Sequence, residues 1–379
     1  MGSVSMVENT LYRSLFHKNA SSMVSPAIDF LMAGGLTLIF FPLALLPIWK
    51  GSLGLYAAVL AFSLNFVLNY PHFMHGYQLL YKNYSKKILD PAKPLASRVR
   101  HIVSGIIAPL FLVLFIIYGV FQPTAGPLGY CSNIMFFFIG WHYAKQGYGI
   151  LMTFSAKRKV YYSSLEKKVL LINTYLVWFI SWIHFNAVYG PRVAEYIPYH
   201  PLAVTMPQDL VAKDILLLWT FFLIFFIIKR SDKHSSISVI GWTGYISALY
   251  PWLLFMQISP LSVAFVPALH SLQYLFFVWK MEYEKTRARL KKLGVNAESA
   301  TRHIVFRHMF PFIAIGIGLG VLCLYLIPTQ LDAHIHYNAF IFGPGLFSFC
   351  FFMFLNIHHY FIDFAIWRRD NPDMKFLFE

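Results

Sequence analysis

Charge is what this chain has least of. Only 12% of its 379 residues are Asp, Glu, Lys or Arg, about half the share of a soluble globular chain. Just 16 are acidic. Disorder requires low hydrophobicity, and at 58% hydrophobic residues the composition excludes it. Cysteine is scarce as well. Cys131, Cys323 and Cys350 are far apart, with no CxxC, which argues against a disulfide framework or a zinc knuckle and leaves them as packing residues. No internal repeat of the transporter kind is visible. No apolar segment precedes a small-residue cleavage site in the first 26 residues, so the first apolar run, from Ala27 to Trp49, is expected to serve as a signal anchor.

What the chain has instead is long hydrophobic runs. Crossing the hydrocarbon core takes about 20 apolar residues. About ten runs approach that length: 27–48, 54–80, 102–121, 131–154, 168–189, 212–228, 237–258, 261–280, 305–327 and 339–366. The expectation is an all-α polytopic transmembrane bundle of about ten spans. A single membrane domain over 27–367 would lie between cytoplasmic segments 1–26 and 368–379. Lys and Arg supply the orientation. They crowd the linkers after the second, fourth, sixth and eighth runs and the C-terminal tail, while the other linkers hold little beyond Lys50, Arg192 and Lys213. This alternation predicts cytoplasmic N and C termini. The formal net charge of +15 then follows from topology, and nucleic acid is not needed to explain it.

Ionisable side chains inside a bilayer cost several kcal/mol unless they face the bundle interior and find partners. The second run ends in Asn69-Tyr-Pro-His72-Phe-Met-His75-Gly-Tyr-Gln78, with Pro71 expected to kink the helix. The fourth carries His142, Lys145, Gln146 and Gly149 at i, i+3, i+4 and i+7, a polar stripe on one face. The eighth carries His270, Gln273 and Tyr274. The tenth carries Asn356, His358, His359 and Asp363. A rise of 1.5 Å per residue puts His72, His270 and the His358/His359 pair roughly 12–14 Å from the inner ends of their helices, and His142 somewhat deeper. Imidazoles from four helices therefore share one level in the inner half of the bilayer. By the same measure His184 lies near the outer end. His17, His101, His200, His234, His303, His308, His334 and His336 fall in linkers or near span ends, where solvated or interfacial positions are expected.

Several imidazoles converging from different helices are most simply explained by a metal, since imidazole binds iron, copper and zinc. The candidate ligands are His72, His75, His142, His270, His358 and His359, with either member of the adjacent pair able to face inward. Asp363, Gln146 and Gln273 are candidates to orient ligands or hold a cofactor. Lys145, Tyr143 and Tyr274 are the candidates for a catalytic role, Lys145 through a substrate anion or a bound oxygen species.

Histidine clusters on the helices of a multispanning protein resemble the integral-membrane non-haem iron oxygenases, namely desaturases, hydroxylases and alkane monooxygenases. The HxxxH and HxxHH boxes of those enzymes are not matched by His72-Phe-Met-His75 or His358-His359. A centre of four or five histidines is more similar to that of the retinal-forming carotene dioxygenases, although their HGxxD-like start is absent. The resemblance implies a chemical class and no ligand set: an iron-dependent oxidoreductase or oxygenase. Its substrate would be a lipophilic small molecule drawn from membrane lipid, with an electron donor as partner if it is an oxygenase. Copper, zinc or haem are alternative cofactors. A haem protein with histidine axial ligands and a proton-coupled transporter using His, Lys145 and Asp363 are the competing functions. The bacterial inner membrane and the endoplasmic reticulum both fit the topology.

Overall fold

The computed structural model describes residues 22–45, 51–190, 192–193, 197–233, 237–258, 263–295, 302–368 and 370–378. Most of the segment expected at 1–26, together with Lys50, His17, His234 and Arg369, lies outside them. The described chain is helical apart from one two-residue antiparallel ladder, Arg192–Val193 with Ile197–Pro198, in the proline-rich linker. Its main helices are α1 (Pro26–Leu43), α2 (Leu53–Tyr81), α3 (Leu95–Val120), α4 (Gly126–Lys157), α5 (Ser164–Val188), α6 (Met206–Lys233), α7 (Val239–Leu249), α8 (Pro251–Ile258), α9 (Val266–Lys292), α10 (Arg302–His334) and α11 (Leu346–Ile366).

Seven helices among the described residues are long and apolar enough to cross a membrane: α1, α2, α3, α5, α6, α10 and α11. This is compatible with a multi-pass membrane protein. The remaining three of the ten expected runs differ for local reasons. The run 237–258 is divided into helices of 11 and 8 residues at Tyr250–Pro251, where proline has no N–H to continue the ladder. Those at 131–154 and 261–280 lie in α4 and α9, which are long enough but carry the polar side chains noted above.

Three of the prolines inside helices follow one pattern, whereas Pro42 in α1 and Pro311 in α10 sit in uninterrupted α-helix. Single π-turns at Asn65–Asn69, Val103–Ile107 and Leu322–Leu326 each precede a proline by two residues, at Pro71, Pro109 and Pro328. A proline lacks the donor for the carbonyl four residues back and its ring collides with it. Widening the preceding turn relieves both problems while the helix continues. In α2 the widened turn ends three residues before His72, and Pro71, the expected source of the kink, directly precedes it.

Caps hold the other ends. Asp29, fully buried, accepts from the Met23 and Val24 amides at 2.6 and 3.0 Å. Ser25 Oγ accepts from the Ile28 amide as the cap of α1, and Asp29 ties the chain just before it to the first turn. At α11 the first-turn amides of Phe347 and Ser348 donate to Asp332 at 2.7 and 2.9 Å. Cys131 and Cys350 are buried and free, and pack in one apolar cluster. That cluster, with Met135, Ile139, Met353 and Ile357, lies on the N-terminal side of the histidine level on α4 and α11. A second, with Ile150, Phe154, Ile362 and Ile366, lies on the C-terminal side. The histidines occupy the layer between them.

Candidate metal centre

Four rings meet in that layer: His72 from α2, His142 from α4, His270 from α9 and His359 from α11. All are buried. Ring centroids are 4.4 Å apart for His72–His359, 4.8 Å for His142–His270, 4.9 Å for His142–His359, 5.1 Å for His72–His270 and 6.1 Å for His72–His142. One nitrogen from each of His72, His142 and His359 lies within 4.8 Å of the others, so this triad could hold a metal ion.

The hydrogen bonds separate these rings from the other candidates. Ser271 Oγ donates to Asn69 Oδ1 at 2.9 Å and so accepts from His72 Nδ1 at 3.2 Å. This sets the tautomer of His72 and leaves the Nε2 lone pair free. Nδ1 of His142 and Nε2 of His359 lie 3.5 and 3.6 Å from Asp363 Oδ2, and Tyr274 donates to the other carboxylate oxygen at 3.0 Å. His270 stacks on Tyr143, with centroids 3.6 Å apart and planes 14° apart. Across the four rings six nitrogens are buried without a hydrogen-bond partner: His72 Nε2, His142 Nε2 and both nitrogens of His270 and His359. An unsatisfied buried polar group costs on the order of 1–3 kcal/mol, so this layer is expensive unless something else occupies those lone pairs.

His75 and His358 are not in the group. His75 Nδ1 donates to Gln78 Oε1 at 2.7 Å and its Nε2 accepts from Trp279 at 3.1 Å. His358 Nε2 donates to the Ser104 carbonyl and its Nδ1 accepts from Tyr77, both at 2.7 Å. Each ring has both nitrogens used inside the protein. Among the described residues, neither Gln146 nor Gln273 hydrogen-bonds an imidazole. Gln146 bonds the His270 carbonyl and Gln273, each at 3.2 Å, and Gln273 donates to the Ala33 carbonyl at 2.7 Å. They tie α4 and α9 to each other and to α1. Lys145 lies over the rings of Tyr148 and Tyr175, 5.5 and 5.7 Å from their centroids. Among the expected peripheral histidines, His101 is buried, its Nδ1 donating to the Ser97 carbonyl at 2.7 Å, whereas His200, His303, His308, His334 and His336 are exposed.

Three residues of the site were not singled out from sequence. Asn69 and Ser271 orient His72. Gly76 gives His359 its room, since a Cβ there would lie 3.2 Å from His359 Nδ1 and 3.4 Å from the Tyr274 hydroxyl. Ser271 follows His270 directly and Asn69 stands one turn before His72, so proximity was a usable signal for both. A cavity of about 510 Å³ reaches the layer from one side, at His142, Tyr274 and Asp363.

Fold and site together define a class: a helical protein of membrane-spanning character with a buried polyhistidine layer. Compared with protein-family models, curated proteins and solved structures, the chain matches none.

Proposed function

We propose that the chain is a membrane-embedded, metal-dependent oxidoreductase, with non-haem iron as the metal, acting on a lipophilic substrate. The supporting observation is the convergence of six partnerless ring nitrogens from four helices beside one shared carboxylate. A donor set rich in imidazole with one carboxylate suits iron, copper or zinc. A bound iron would supply redox and oxygen-binding chemistry.

The chain's own residues do the rest. Ser271 and Asn69 hold His72 in one tautomer. Asp363, steadied by Tyr274, stands 3.5 and 3.6 Å from His142 Nδ1 and His359 Nε2 without hydrogen-bonding either, close enough to take the orienting role that carboxylates play behind ligand histidines once a metal is bound. Tyr143 sets the plane of His270. The apolar clusters on either side exclude water. A single ion fits this arrangement better than haem, because a porphyrin needs a flat slot between its axial ligands and these rings contact one another edge to face.

The basic linkers support N-in, C-in orientation, which puts the layer in the cytoplasmic half of the bilayer. Substrate then comes from the membrane, and an electron donor, if oxygen is reduced, docks on the cytoplasmic face. Elemental analysis and electron paramagnetic resonance on the detergent-purified full chain test the reading. About one iron per chain is expected. Folded protein with no stoichiometric Fe, Cu, Mn or Zn defeats it.

A further inference from the structure

The cavity that reaches His142 and Asp363 is apolar along most of its wall, with Trp141, Ile150, Phe277 and Phe364 among its lining. Its volume of about 510 Å³ falls in the range of sites that enclose one small organic ligand, roughly 300–1,000 Å³. Two cations interrupt the apolar wall, Lys145 from α4 and Arg368 from just beyond α11. Neither forms an ion pair among the described residues, although the Arg368 charge also acts on the Asp370 carboxylate. Lys145 Nζ lies only against the tyrosine faces of Tyr148 and Tyr175. The guanidinium of Arg368 lies 4.3 Å from the Phe364 centroid and makes one bond, from Nε to the Phe364 carbonyl at 3.0 Å. Some other cations are paired, Arg100 with Asp370, Lys280 with Glu284, Lys285 with Asp373 and Arg230 with Glu166, while Arg98, Arg158 and Lys229 meet a backbone carbonyl or a ring as Lys145 and Arg368 do; what sets Lys145 and Arg368 apart is that both line this cavity.

The two ends of the cavity also differ in sign. The inner end holds the Asp363 carboxylate beside the imidazoles. Lys145 stands one turn along α4 from His142, on the order of 4.5 Å by helical rise, and Arg368 lies past the end of α11. A neutral apolar ligand gains nothing from two unpaired cations, while an anion is repelled by Asp363 and held by them. Gly149, Tyr175, Phe364 and Arg368 are exposed and mark the mouth. Exposed Ile172 and Phe179 stand one turn either side of Tyr175 on α5, and Phe364 is exposed on α11, so the mouth has apolar neighbours suited to a ligand arriving from lipid.

We infer that this cavity binds a single-chain amphiphile with one anionic head, of the fatty-carboxylate class, its head between Lys145 and Arg368 and its apolar body along the wall of Trp141, Ile150 and Phe277, beside the histidine layer. The inference rests on the proposed function for calling that ligand a substrate, but the binding itself does not require a metal.

The test uses the full chain in detergent, titrated with a fluorescent conjugated-polyene fatty acid and with the matching fatty alcohol, with iron content measured on the same preparations. The acid is expected to bind about tenfold tighter than the alcohol, the scale of one charge-assisted contact. Lys145→Gln and Arg368→Gln should each lower acid affinity severalfold and leave alcohol affinity and iron content unchanged, and Lys145→Arg should keep the preference. Equal affinity for acid and alcohol in the unsubstituted chain overturns the inference, as does a preference that survives the double substitution. Displacement by a two-chain anionic phospholipid as effective as by the acid overturns the single-chain assignment. The two readings fail separately. A metal-free chain that still prefers the acid defeats the proposed function alone, and a metal-loaded chain with no preference defeats this inference alone.

Discussion

His184 and His359 are both buried histidines on helices of membrane-spanning length, yet they stand in opposite chemical situations. His184, on α5, points its Nδ1 at Asp209 at 3.0 Å, and Lys213 reaches the same carboxylate at 2.9 Å. The charges on Asp209 and Lys213 are matched within the cluster, and the imidazole completes it. This is how a bundle makes polar residues tolerable in a low-dielectric interior. Around His359 the accounting does not close. Both its nitrogens lack hydrogen-bond partners, three other imidazoles crowd the same layer, and the one carboxylate nearby is shared. The contrast teaches that burial of a histidine says little by itself. The informative quantity is whether its nitrogens are satisfied by the protein, and the adjacent pair makes the point within one helical turn: His358 is saturated by Tyr77 and Ser104, and His359 is not.

The sharpest way to break that comparison is to remove each member of the pair in turn. His359→Ala should empty the site, taking iron from about one per chain to near zero with the helical circular dichroism unchanged. His358→Ala should retain iron and lose stability instead, because it leaves Tyr77 and the Ser104 carbonyl without their partner. Loss of iron in both, or in neither, would remove the distinction. Next in size is Asp363→Asn, which keeps the shape but not the charge behind His142 and His359. Metal affinity should fall by about 10–100-fold, the usual effect of a partner behind the ligands, as read by chelator competition.

His184→Ala probes the other region. It withdraws one of the two partners of Asp209 and should cost about 1–3 kcal/mol of stability, seen as a lower thermal midpoint, with iron content unaltered. Iron loss in this variant would mean that the two regions are coupled and the comparison is false. The smallest effect is expected from Ser271→Ala. It removes the acceptor that fixes the His72 tautomer, a bond worth about 0.5–1.5 kcal/mol, and should weaken metal affinity severalfold in the same chelator assay. An unchanged affinity would show that Asn69 or water can take over.

Much of the architecture was legible without coordinates. Apolar runs marked the helices, Pro71 marked the distortion before His72, and the rise per residue put four sets of histidines at one level. The span count was less legible. The runs at 131–154 and 261–280 belong to helices whose polar residues line the interior layer, so the features that make them interesting also lower their hydropathy. The break at Pro251 divides another run into two short helices. Within the site, position along a helix was readable but partnership was not. His75 shares a face with His72 in sequence, yet Gln78 and Trp279 satisfy it, and Trp279 comes from α9, some two hundred residues away. Gln146 and Gln273 stood on the histidine faces of their helices and turned out to bond each other and backbone carbonyls.

By itself the sequence determined the helical class, the scarcity of charge that makes each interior polar residue meaningful, and the level at which the histidines lie. These depend on local quantities, namely hydrophobicity and a helical rise that is the same in every helix. Only the tertiary structure decided which rings meet, because neighbouring residues on a helix point about 100° apart and the direction that counts is set by how α2, α4, α9 and α11 pack around one another. It also decided which of those rings keep unpaired nitrogens, since the groups that satisfy or fail to satisfy them arrive from distant parts of the chain.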